Sequence, residues 1–107
     1  MTRIVVEPGI CDFTTVVKVT KLSARRVRVV INTDCDMVSE MNSELKELNW
    51  RDALGHQGDS FVYKTAARHI KHAACPIPVA ILKAIEVEVG AAAPKDVVIH
   101  FEAKRPP

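Results

Sequence analysis

At 107 residues, with 48% hydrophobic and 26% charged residues, the chain has the composition of a single globular domain, residues 1–107, able to bury a core without disulfide staples. A formal net charge of +2 and an aromatic content of 5% give little basis for a nucleic-acid surface, and no apolar run approaches the ~20 residues of a membrane-spanning helix. Three cysteines cannot all pair within one chain, which points to free or metal-bound thiols in a reducing compartment; with no signal-peptide core after Met1-Thr2-Arg3, the expected location is the cytoplasm.

The β-branched run Arg3 to Glu7 predicts a short strand that Pro8-Gly9 ends in a turn, and Cys11 follows that turn. From Phe13 to Lys21 the pattern alternates, with Phe13, Thr15, Val17 and Val19 on one face. Leu22 to Arg25 reads as a hairpin connection. Alternation then resumes from Arg26 to Thr33, with Val27, Val29 and Ile31 facing one way. The two runs make an antiparallel hairpin with one apolar face, which helices must cover.

The first predicted helix begins after Asp34 or Asp36 as N-cap and carries Met37, Val38, Met41, Leu45 and Leu48 at helical spacing, with both methionines read as core. Asn49 to Asp59 has no sustained period and reads as a loop with a turn of helix. A second helix is expected from an Asp59 or Ser60 cap to about Ala73, and a third from about Val79 to Val89, stopped by Gly90. Val97, Ile99 and Phe101 alternate with Asp96, Val98 and His100, which predicts a last strand from Lys95 to Glu102 before a frayed Lys104 to Pro107 tail. This order gives an α+β fold of two layers, a small, mainly antiparallel sheet covered on one face by about three helices.

The cysteines fall at the junctions of these elements. Hairpin pairing brings Cys11, before the second strand, beside Cys35, after the third, and the following helix returns Cys75 to the same edge. Cys75 precedes Pro76 and Pro78, so it belongs just before a helix N-terminus, where unpaired N–H groups and the helix dipole favour a thiolate. A lone cysteine is more often a small buried apolar residue, but three at similar junctions suggest a shared site. Thiolates suit zinc, copper(I) or an iron-sulfur centre, with Asp12, Asp34, His72 or solvent as the fourth ligand.

The placement of Cys11 before the hairpin, Cys35 at its end and Cys75 between two helices resembles the NifU/IscU-type iron-sulfur cluster scaffolds, with separations of 24 and 40 residues between successive cysteines. That resemblance implies the fold of the IscU/NifU N-terminal domain, a cluster or zinc ion held by Cys11, Cys35 and Cys75, and a cysteine desulfurase or other sulfur-transfer protein as partner. It implies a scaffold or carrier rather than an enzyme. The chain departs from the family's pattern in having Phe13 where that family has an Asp, Asp34 and Asp36 where it has glycines around the second cysteine, and Ala74 where it has a His before the third. The chaperone-docking segment is also missing. More locally, Cys75-Pro76-Ile77-Pro78 resembles the Cys-Pro-x-Pro motif of the TusA-type sulfur carriers, which implies a persulfide on Cys75.

Other features have plainer readings. Lys64, Arg68 and Lys71 share a helix face that is expected to be solvated, and of His69 and His72 only the latter is a site candidate. A homodimer, and a metal-free interaction module whose cysteines only pack, are the remaining alternatives.

Overall fold

The computed structural model describes residues 1–103, so the predicted frayed tail lies outside the described residues. Three strands, β1 (Thr2–Val6), β2 (Thr15–Lys21) and β3 (Arg26–Asn32), pair antiparallel in chain order. The register sets Val17 opposite Ile31 and Val19 opposite Val29, and period-two alternation turns Thr15, Val17, Val19, Val27, Val29 and Ile31 to the buried face. The predicted hairpin forms, closed by the Leu22 N–H donating to the Arg26 carbonyl at 2.8 Å.

The fourth strand is not the one expected. β4 (Leu48–Asn49) pairs with Arg26 and Val27 at the far edge of β3, whereas residues 95–102 form no strand and are exposed along their whole length. Alternation marks a segment suited to a sheet without supplying the sheet. The long helix expected after β3 is likewise broken, into α1 (Asp36–Glu40) and α2 (Asn42–Leu45). Asn42 opens α2 just past the break: its side-chain Oδ1 accepts the Ile31 N–H at 2.8 Å, and its Nδ2 donates to the Ile31 carbonyl at 2.9 Å. The amide thus replaces a neighbouring strand along the part of β3 that β4 does not reach. Neither Asp34 nor Asp36 caps α1. Its N-cap is Cys35, and Asp36 stands in the first turn.

The Asn49 to Asp59 stretch holds α3 (Trp50–Ala53), capped by Asn49, and a 3₁₀ turn at Gln57–Asp59. α4 (Phe61–His69) starts at the expected Ser60 cap but stops short of Ala73, at Ile70. α5 (Ile77–Glu88) begins at Pro76 with Pro78 in its first turn, as an absent N–H there leaves no helical bond unmade. α5 lies across β1 and β2, α1 and α2 against β3, and α4 against α5. Ile77, Ile81 and Ile85 of α5 meet Val17, Val19, Met41 and Leu45 in a single apolar cluster. No helix among the described residues is long and apolar enough to cross a membrane.

Candidate functional site

Three junctions open at one end of this core. After β1, Pro8-Gly9 turns the chain, with Gly9 at φ 91° and Asp12 at φ 59°, and the Asp12 N–H donating to the Gly9 carbonyl at 2.9 Å. An Asp tolerates this left-handed conformation better than most side chains, so the turn fixes where Cys11 stands. β2 then starts at Thr15, whose buried hydroxyl donates to the Phe13 carbonyl at 2.8 Å. It shares a second hydrogen bond, 2.9 Å long, with the Thr33 hydroxyl, whose oxygen accepts the Cys35 N–H at 3.1 Å. Thr15 and Thr33 therefore tie the segment after Cys11 to the segment that carries Cys35. The third junction is the short connection from α4 to α5, which carries His72 and Cys75.

Cys11, Cys35, Cys75 and His72 all line one pocket of about 60 Å³. Its walls are otherwise almost wholly apolar: Pro8, Phe13, Met37, Val38, Ile70 and Ile77, with Thr15 at its base. The volume is of the size of an ion with one or two small ligands, well below the roughly 300 Å³ of a typical organic-ligand pocket. A second hollow of about 190 Å³, bounded by Leu54, Tyr63, Leu82 and Glu86, holds none of the thiols.

Within the pocket the thiols differ. All three are free; Cys11 is exposed, whereas Cys35 and Cys75 are half-buried. Burial pushes the Cys75 thiol above its ordinary value, the backbone N–H of Ile77 pulls it back, and the neighbouring Cys35 and Cys11 push it up again. The helix N-terminus expected to promote a thiolate is present, but dehydration outweighs it. Among the described residues, no three His, Cys, Asp or Glu side chains are close enough to hold one ion as they stand. The expected thiols share a pocket without forming a ready coordination shell. Asp12 is exposed and does not line the pocket, while His72 does.

Two further expectations change. Met41 is fully buried, but Met37 is only partly so and faces the pocket, where its thioether adds a fourth sulfur. The basic face of α4 is partly neutralised: Arg68 pairs with Glu44, and His69 sits between Glu44 and Glu40, with Nδ1 3.3 Å from Glu40 Oε2. Lys71 lies beyond the end of the helix. Phe13, Met37 and Ile70 were missed as site residues because each fits a helix or strand pattern equally well. The Thr15 and Thr33 pair was legible in the strand register, which sets them opposite one another when continued past Val16 and Asn32.

The chain belongs to DUF6951, a family of unknown function, whose model matches residues 2–101 and so takes in all three cysteines and the exposed C-terminal segment. No curated protein and no solved structure matches the chain.

Proposed function

We propose that this member of the DUF6951 family is a small scaffold that holds an iron-sulfur cluster or a zinc ion on Cys11, Cys35 and Cys75. The observation that carries the reading is that three thiols from three separate junctions line one small, apolar pocket. The donor set fits a soft metal: thiolates with a thioether nearby, and dry walls that strengthen charge interactions and slow loss of the bound group. Cys35 and Cys75 are anchored by the α1 and α5 starts, whereas Cys11 rides on an exposed turn. Closing the site requires that turn to move inward, and His72 is better placed than Asp12 to supply a fourth ligand. The bound centre supplies the positive charge that turns the thiols into thiolates, with protons released on binding.

A cluster scaffold needs a source of sulfide, so a cysteine desulfurase or another sulfur-transfer protein is the expected partner. Free thiols are compatible with a reducing compartment, and the cytoplasm is the location we propose. The test is anaerobic expression with iron and sulfide, and separately with zinc, followed by metal analysis of the wild type and of Cys11→Ser, Cys35→Ser and Cys75→Ser. Each variant is expected to lose most of the bound metal. Metal content unchanged in all three removes the proposal.

A second reading rests on the place of Cys75 directly before the N-cap of α5. In it, the Cys75 thiolate attacks the outer sulfur of a donor persulfide, forms a new S–S bond and expels the donor thiolate, so no oxidant is consumed. Mass spectrometry after incubation with a cysteine desulfurase and cysteine is then expected to show one added sulfur on Cys75 alone.

A further inference from the structure

The segment after α5 has the side chains of a strand and no sheet. Val97, Val98, Ile99 and Phe101 are 56%, 75%, 86% and 100% exposed. So much contiguous apolar surface on an extended segment is the mark of an element whose partner lies elsewhere. The sheet has a matching vacancy. β1 is an edge strand that pairs only with β2; its Ile4 and Val6 face the core yet remain half-buried, and Val5 is 54% exposed.

We propose that Lys95 to Glu102 forms a fifth strand on a second copy of this chain, added parallel to the open edge of β1, with the exchange reciprocal between the two copies. Aligning Val98 with Val5 in parallel puts Val97 against Ile4 and Ile99 against Val6 on the helix-covered side. On the other side, Asp96 meets Arg3 and His100 meets Glu7. Reversing the strand about the same pair sets Asp96 against Glu7 and His100 against Arg3, which opposes two carboxylates and loses both favourable pairs. The pattern therefore selects the parallel direction at this register.

The chain path favours the partner's edge over its own. Glu88 at the end of α5 accepts the Thr2 hydroxyl, so the chain leaves the helix beside the start of β1, within reach of its own edge, yet it does not pair there. Gly90, at φ 81°, ends the helix, and Ala91 to Pro94 carries the chain outward, where every residue from 90 to 103 is exposed. The molecule is accordingly 56 Å long against 29 and 25 Å in its other dimensions. A Pro-containing hinge that holds its segment off its own sheet suits strand exchange, and a two-fold exchange covers the β1 edge of both copies and uses up both segments, so the assembly stops at two.

Sedimentation of the full chain at micromolar concentration tests this. Twice the 11.8 kDa chain mass is expected. Ile99→Asp, in a segment outside the core, is expected to give a monomer with the wild-type circular dichroism spectrum. Arg3→Asp should weaken the dimer about tenfold, and adding Asp96→Arg should restore it. The proposal is overturned by a monomeric wild type, whether its 96–101 amides exchange freely or are protected on its own edge, and equally by a dimer indifferent to Ile99→Asp.

Discussion

The two ends of α5 are built from opposite chemistry. At its C-terminal end Glu88 is held by three donors: the Thr2 hydroxyl and the Lys21 N–H, each at 2.8 Å, and the Met1 ammonium at 3.5 Å. At its N-terminal end the three free thiols line an apolar pocket, with Cys75 pushed toward its protonated form by burial. One end spends its polar groups on holding β1 and β2 together; the other leaves reactive groups without strong partners. Packing and free thiols are thus separated along one helix, and the contrast says where substitutions should hurt folding and where they should touch only the proposed metal binding.

The largest effect is expected where α5 joins its two ends. Ile81 is fully buried in the middle of the core, and Ile81→Ala should cost about 2–5 kcal/mol in chemical denaturation. It should loosen both ends together, because the helix is the beam they share. A loss confined to one end would show instead that the two halves fold independently.

Glu88→Ala comes next, at about 1–2 kcal/mol, because it strips partners from the Lys21 N–H and the Thr2 hydroxyl. Thiol reactivity at the far end should stay as it was. Burial pushes the Glu88 carboxyl up, but the Lys21 N–H, the Thr2 hydroxyl and the N-terminal ammonium outweigh it and hold the group below its ordinary 4.5. Its contribution is therefore intact above pH 4.5 and is lost as pH falls through the lower folded value. Unfolding of Glu88→Gln, followed from pH 6 to pH 3 or about that range, should show a flatter acid limb than the wild type.

At the thiol end the order of alkylation sharpens the contrast. Iodoacetamide at neutral pH is expected to modify exposed Cys11 first and Cys75 last, since dehydration keeps the latter a thiol. Peptide mapping over time reads the order directly. Cys75 reacting first would mean that the α5 N-terminus, rather than burial, controls it, and would favour the sulfur-carrier chemistry.

Much of this was legible in the chain before folding. Strict alternation located β2 and β3, and the register between them placed Cys11 and Cys35 at one edge. The Pro76 and Pro78 pair marked the head of α5, and hence the level of Cys75. What escaped was decided by contacts distant in sequence. Asn42, in an otherwise regular helical pattern, serves the β3 edge, which no periodicity encodes. Leu48 followed that pattern yet entered a strand, because Val27 and Arg26 offered a free edge. Burial, which reversed the expectation for Cys75, comes from packing against a core that residues of several elements build. The segment from Lys95 to Glu102 carries a strand signal that its own chain leaves unused.

The smallest effect belongs to a third region, the charged face that carries neither the clamp nor the thiols. His69 stands in the last turn of α4, where the helix dipole favours a cation, and its ring is hydrogen-bonded by Glu44 and Glu40. The bond to Glu44 is the main cause that raises it, against some dehydration, and Glu40 adds to the rise. Glu44 is lowered in turn by His69 and Arg68. With its folded value above 6.5, His69 contributes stability that is complete below pH 6.5 and disappears as pH rises through that folded value. Solvent screens the cluster, so the change should be small, and His69→Gln should remove it while Glu88→Ala leaves it in place. Proton NMR titration of the His69 ring gives the direct reading. A midpoint at or below 6.5 would show that these carboxylates do not hold the imidazolium, and that Arg68 rather than His69 carries the polar link from α4 to Glu44.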